Sequence, residues 1–96
     1  MRHYEIMFIV RPTLGEDEVK KVVKDFAEII KKNGSKVTDE QAMGQRELAY
    51  EIKDFKSGYY YVFQVEGKDD KGIKEFDRLA LINKDIIRHL ITKVED

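Results

Sequence analysis

The sequence predicts an α+β fold in which a four-stranded antiparallel sheet carries two helices on one face. Three observations predict it. Apolar residues alternate with period two in some segments, they recur every three or four residues in two others, and the segments follow the order strand, helix, strand, strand, helix, strand. This order is typical of the split βαβ or ferredoxin-like arrangement. The length of 96 residues suits one core, so we expect residues 1–96 to form a single domain.

The first strand and the first helix have clear boundaries. Residues 1–10 follow a period-two pattern, and Pro12 then removes a backbone donor and ends the strand. Residues 16–33 place apolar side chains at helical spacing, with acidic residues in the first turn and Gly34 where a left-handed cap is needed. We therefore expect a strand followed by an amphipathic helix.

The middle of the chain predicts a hairpin. Residues 36–52 form an extended segment that is broken near Gly44. Residues 54–58 have turn chemistry, and the aromatic run of residues 59–65 follows them.

The last two elements are a helix and a strand. Asp69 or Asp70 can cap the helix, which should end within residues 83–85. Residues 86–94 are again rich in β-forming side chains and complete the predicted order.

Two helices can cover only one face of this sheet, so the other face, which we call the open face, is either solvated or covered by a partner. In the aromatic strand the odd residues are all apolar or aromatic, so we expect the odd set in the core; by the same logic the first strand buries its even residues. The open face would then carry an apolar cluster that suits a protein partner, although isolated exposed apolar residues are common. The predicted cluster is Met7, Ile9, Tyr60, Val62 and, as an extension, Ile91.

Composition and spacing argue against several functions. The 18 Lys and Arg against 19 Asp and Glu lack the basic excess of an autonomous nucleic-acid binder, so any RNA contact should be local. Cysteine is absent, which excludes thiolate chemistry and suits a reducing cytoplasm. His3 and His89 lack the spacing of catalytic or metal sites, and we expect His89 on the strand surface. We therefore expect no enzyme, cofactor, metal, small-molecule substrate or membrane span.

Residues 58–64 are similar to the aromatic third strand of an RNA recognition motif, in which exposed rings stack on bases. The match is partial, because three motif positions differ. The stacking residues would be Tyr59 and Tyr61, which the alternation places in the core. We therefore favour core side chains over a stacking platform.

The run Gly-Gln-Arg-Glu-Leu-Ala-Tyr-Glu-Ile-Lys at residues 44–53 resembles the signature of the bacterial small-subunit ribosomal protein six family. The resemblance extends to the first five residues, to Gly-Tyr at residues 58–59 and to Gln-Val-Glu at residues 64–66, and so it covers nearly the whole chain. A structural interpretation of the run stays open beside it: alternate apolar residues line an edge strand, and Gly44 allows a bulge.

The resemblance implies a non-enzymatic protein of the cytoplasmic ribosome that binds small-subunit rRNA as a heterodimer with the eighteenth small-subunit ribosomal protein. A basic partner would supply much of the phosphate attraction, so a few local cations would suffice. We expect these RNA contacts at two ends of the sheet, from Arg2, His3, Arg46, Lys53, Lys56 and Arg88. Two alternatives remain: a free-standing RNA-binding domain of the same fold, and a ferredoxin-like homodimer that binds itself or a small effector.

Overall fold

The computed structural model describes residues 2–53 and 55–94 and contains the predicted elements in the predicted order. The sheet has the strand order β2-β3-β1-β4 with antiparallel pairing throughout, which confirms the ferredoxin-like α+β fold. Met1 and Asp54, which we assigned to the first strand and to the hairpin turn, lie outside the described residues. The elements are β1 (Arg2–Val10), α1 (Glu16–Lys32), β2 (Ser35–Ile52), β3 (Phe55–Gly67), α2 (Lys71–Ile82) and β4 (Ile86–Val94).

The helix ends follow the expected local chemistry. The first turn of α1 contains three acidic residues, which favour the positive end of the helix dipole. Gly34 follows the helix with a φ of 88°, the left-handed conformation that the sequence predicts there. At the start of α2 the backbone N–H of Lys71 donates to Asp69 Oδ1 at 3.1 Å, so Asp69 supplies the side-chain bond at this helix end.

The core lies between the two helices and one face of the sheet. Ile6, Phe8 and Val10 of β1 are fully buried, as their alternation predicts. The same buried cluster includes Phe26 of α1 and Phe76 of α2, so both helices cover this face. The opposite face is the open face of the sheet, and neither of the two described helices, α1 and α2, packs on it.

A bulge changes which side chains of β4 point to each face of the sheet. Val10 pairs with Ile86, whereas Ile9 pairs with Arg88, so Ile87 is an extra residue on β4. Because neighbouring residues of a strand point to opposite faces, one extra residue reverses the parity of all positions that follow. Even-numbered residues from Arg88 onwards therefore share the open face with Ile9.

β2 is an edge strand that leaves its partner near the end of the hairpin. Its pairing shifts beside Gly44, which has a φ of 82°, so the predicted bulge is confirmed. Further along, Glu47 pairs with Ser57 and Ile52 pairs with Phe55, so residues 48–51 have no pairing in β3. We call residues 48–52 the strap.

A substitution at Gly58 tests the close packing of β3 against β1. A Cβ at this position would clash with Ile9 Cγ2 and would lie 3.0 Å from the carbonyl oxygen of Val10. We expect Gly58→Ala to lower the free energy of unfolding by about 1–3 kcal/mol, as overpacking of a filled site does. Urea denaturation measures this change.

Gly15→Ala is the matched control. Gly15 has a φ of −69°, and no atom lies within 4 Å of a Cβ there. We expect its effect to stay below about 1 kcal/mol, the usual cost of a changed helix cap. Equal losses in the two variants would show that the contact with Ile9 is not the cause.

Candidate RNA and partner-protein interface

The strap crosses the open face of the sheet. Arg88 Nη1 donates a hydrogen bond to the Tyr50 hydroxyl at 3.0 Å. Tyr50 belongs to β2 and Arg88 to β4, the two edge strands, with β3 and β1 between them. The strap must therefore pass over the face to bring these side chains together. Beneath it lies a cavity of about 140 Å³, lined by Met7, Ile9, Leu48, Ala49, Tyr50, Ile52, Tyr60, Arg88 and Leu90.

Because the strap covers part of the open face, one expectation about the partner surface needs correction. Ile9 lies on the open face as predicted, but its side chain is only 2% exposed. It fits into the space that a side chain at Gly58 would fill, and it also lines the cavity under the strap. Ile87 beside it is also buried. A partner therefore cannot reach Ile9 in this structure, contrary to its predicted place in the partner-facing cluster.

The predicted placement of Ile91 on the open face is wrong. Ile91 pairs with Ile6 and packs against the main core, so it lies on the helix-covered face. The bulge at Ile87 accounts for the error, because it reverses the parity of β4. Leu90 takes the predicted place instead: it pairs with Met7 on the open face and is 53% exposed.

The accessible apolar surface is therefore smaller than predicted and slightly displaced. Met7 pairs with Val62 on one side and with Leu90 on the other, and Tyr60 also lies on this face. We call Met7, Tyr60, Val62 and Leu90 the apolar patch. Next to it Gln64 Nε2 donates to Glu5 Oε1 at 3.1 Å, so polar side chains border the patch.

The cations predicted to contact RNA fall into groups at opposite ends of the sheet. Arg2 pairs with Gly67 and His3 with Glu66 at one end of β1. Nine residues of strand at about 3.3–3.4 Å each place the other end roughly 25 Å away. The second group, at that other end, comprises the exposed residues Arg46, Lys53, Lys56 and Arg88.

Two members of this second group are held by hydrogen bonds. Arg46 Nε donates to the carbonyl oxygen of Met43 at 3.2 Å, beside the bulge at Gly44. Arg88 is held by Tyr50, as described above. Both guanidinium groups are exposed and retain further N–H donors.

Tyr59 and Tyr61 lie on the helix-covered face, which confirms the core assignment against the stacking platform. Both are partly buried against the main core. The ring of Tyr61 stacks on Phe8 with a centroid distance of 5.7 Å. Burial raises the pKa of the Tyr61 phenol above its ordinary value of 10.0, and repulsion from the ionised form of Tyr59 and from the Glu16 carboxylate raises this pKa further. Neither ring is presented to a base on the open face.

His89 is not the strand-surface residue that we expected. Its Nε2 lies 2.6 Å from Asp77 Oδ1 of α2, and its ring packs edge-on against Phe76. It therefore joins β4 to α2 on the helix-covered face, where the bulge has placed it. The bulge at Ile87, which reverses the parity of β4, could not be recognised from the sequence.

Across residues 2–53 and 55–94 no group of three or more acidic, histidine or cysteine side chains could hold a metal ion. Of the helices described, neither α1 nor α2 is long and apolar enough to cross a membrane.

Comparison with known proteins gives concordant results. A family model described as "Ribosomal protein S6" matches residues 3–93. The crystal structure of the 30S ribosomal protein S6 from Thermotoga maritima, at 1.70 Å resolution, is similar to this chain with a TM-score of 0.90. The two sequences are 32% identical, and the match covers 97% of this chain and 87% of that one.

Proposed function

The chain belongs to the ribosomal protein S6 family, and from that premise we propose that it binds small-subunit rRNA together with the eighteenth small-subunit ribosomal protein. Family membership makes it a structural, non-enzymatic protein of the small ribosomal subunit. In this proposal residues 1–96 act as one domain on cytoplasmic ribosomes.

The exposed apolar patch carries the proposal of a protein partner. Leu90 is more than half exposed, and it lies beside Met7 on the sheet face that neither α1 nor α2 covers. An apolar centre with polar side chains around it is the usual composition of a protein interface, and the Glu5–Gln64 pair supplies such a border. In our proposal the partner covers Met7, Tyr60, Val62 and Leu90.

The charge distribution supports RNA binding by the pair of proteins over RNA binding by this chain alone. The formal net charge is −1, so the chain as a whole attracts phosphates weakly. Local cations can still fix the position of the RNA backbone if the partner supplies most of the positive charge. We propose as RNA contacts the two groups at the ends of the sheet: Arg2 and His3, and Arg46, Lys53, Lys56 and Arg88.

The spacing of these groups suits recognition of RNA shape. Groups about 25 Å apart can contact separate stretches of RNA backbone. Phosphate contacts position a protein, while the fold of the RNA provides the specificity. This chain would then help to fix the relative positions of rRNA helices during assembly of the subunit.

The two alternatives receive less support. A free-standing domain that stacked bases as an RNA recognition motif does would use Tyr59 and Tyr61, whereas both of these rings face the helices. A small effector bound on the open face would need a site of about 300 Å³ or more, whereas the cavity between that face and the strap measures about 140 Å³. Titration with the partner and sedimentation of this chain alone distinguish a homodimer through the open face from the proposed heterodimer.

Isothermal titration of this chain with the eighteenth small-subunit protein tests the proposal. We expect a 1:1 complex, and we expect this chain to sediment as a monomer when the partner is absent. A stable dimer of this chain, together with no heat of binding on addition of the partner, would refute the proposed heterodimer in favour of self-association.

A further inference from the structure

Tyr50 has a contact that the proposed function leaves unexplained. Its side chain is 63% exposed, so burial of the ring contributes little to the fold. Its hydroxyl nevertheless accepts the hydrogen bond from Arg88 Nη1 at 3.0 Å. The bond joins residues 38 positions apart and connects the two edge strands across the open face.

The strap that carries Tyr50 is fixed by its neighbours. Leu48 and Ile52 are partly buried and line the cavity with Met7 and Tyr60. Strand pairing fixes the chain at the two ends of the strap, Glu47 with Ser57 and Ile52 with Phe55, while residues 48–51 have no backbone pairing with β3. The hydroxyl of Tyr50 is therefore presented to Arg88 by a segment that is anchored independently of their hydrogen bond.

We propose that Tyr50 is a positioning residue for RNA binding: its hydroxyl holds the guanidinium of Arg88 in the orientation that contacts an RNA phosphate. The inference rests on the proposed function, in which Arg88 is an RNA contact. A guanidinium has five N–H donors, so the bond to Tyr50 leaves donors for a phosphate. A long side chain that is already ordered loses less conformational freedom on binding, and its contact is correspondingly stronger.

The opposite role, competition between Tyr50 and RNA for Arg88, predicts the opposite change in RNA affinity. If Tyr50 competed with RNA for Arg88, removal of the hydroxyl would release the guanidinium and strengthen binding. The geometry favours positioning, because within residues 2–53 and 55–94 Nη1 is the only engaged donor of Arg88, and the side chain of Arg88 remains exposed. The sign of the change in affinity distinguishes the two roles.

The test uses the heterodimer of the full chain and its partner with an rRNA fragment, and compares the wild type with Tyr50→Phe. We expect Tyr50→Phe to weaken RNA binding about two- to tenfold, the range for a side chain that must be ordered on binding. The dependence of affinity on salt should keep its slope, because the number of phosphate contacts is unchanged. Arg88→Ala should weaken binding further and reduce that slope by about one.

Two more variants separate positioning from a general loss of structure. Tyr50→Phe combined with Arg88→Ala should bind no more weakly than Arg88→Ala alone, because the hydroxyl acts only through that guanidinium. Tyr59→Phe, which removes a hydroxyl on the helix-covered face, should leave RNA affinity unchanged. Weaker binding by Tyr50→Phe in the Arg88→Ala background would overturn the positioning role.

The remaining outcomes distinguish this inference from the proposed function. Unchanged or tighter binding by Tyr50→Phe, with weaker binding by Arg88→Ala, overturns the positioning role and leaves the proposed function intact. Unchanged binding by Arg88→Ala overturns the positioning role as well, because the held group would not contact RNA. A wild-type heterodimer that fails to bind rRNA overturns the proposed function and this inference together.

Discussion

Replacement of Phe8 by alanine is expected to lower the free energy of unfolding by about 3–5 kcal/mol. Phe8 is fully buried at the centre of the core. Its ring lies within 6.4 Å, centroid to centroid, of four other aromatic rings, from both helices and from β3. Truncation removes these contacts and leaves a cavity that the surrounding rigid elements can close only in part.

The effect is large relative to the whole stability of the protein. A domain of this size is usually stable by about 5–15 kcal/mol, so the variant should lose a large share of its stability and unfold at a clearly lower temperature. Urea denaturation followed by circular dichroism measures the loss. Phe8→Leu, which keeps much of the volume, should lose less than Phe8→Ala and remains measurable if the alanine variant does not fold.

Leu81→Ala is the surface control for this series. Leu81 is 66% exposed on α2, and we expect its truncation to change stability by about 0.5 kcal/mol or less. A loss at Phe8 no larger than the loss at Leu81 would contradict the assignment of Phe8 to the centre of the core.

Leu90→Glu is expected to weaken binding to the eighteenth small-subunit protein by about 30-fold or more. The change places a charge on the most exposed side chain of the apolar patch, where the partner would have to bury it without a counter-charge. A hot-spot contact of an interface contributes about 2 kcal/mol or more, which corresponds to this loss in affinity.

The fold of the Leu90→Glu variant should be retained, because Leu90 is already 53% exposed. Leu81→Glu is the matched control: it introduces the same charge at a similarly exposed leucine on α2, away from the patch. Isothermal titration of each variant with the partner gives the comparison. Equal affinities for the two variants would show that the partner does not cover the apolar patch.

Local sequence patterns were sufficient to predict the elements and most of the core. Alternation in the first strand assigned Ile6, Phe8 and Val10 to the core, and all three are buried, although Ile9 on the other face is buried as well. The odd residues of β3 were assigned in the same way, and this placed Tyr59 and Tyr61 with the helices.

β4 could not be assigned by this method, because the bulge at Ile87 interrupts its period. Ile86 and Ile87 are adjacent and both buried, on opposite sides of the sheet. Apolar residues also occur at both Leu90 and Ile91, so the sequence gives no indication of which one faces the helices. The pairing of β4 with β1 decides which of the two side chains faces the helices. Local sequence patterns do not reveal this pairing, because the two strands are far apart in the chain.

The strap could not be predicted for a related reason. Residues 44–53 have the composition of an edge strand, and nothing local indicates that residues 48–51 leave β3. Their path brings them around one cavity with Met7 and Tyr60 of other strands and joins Tyr50 to Arg88, and these are long-range relations. The covered state of Ile9 follows from that path.

The central claim, that this chain binds rRNA in partnership, is tested most directly by one titration. An rRNA fragment is titrated with this chain alone, and with this chain plus the eighteenth small-subunit protein, over a range of salt. We expect weak binding alone and strong binding with the partner, falling roughly a thousandfold between 50 and 200 mM salt if about six phosphates are contacted. Equally tight binding by this chain alone would contradict the account.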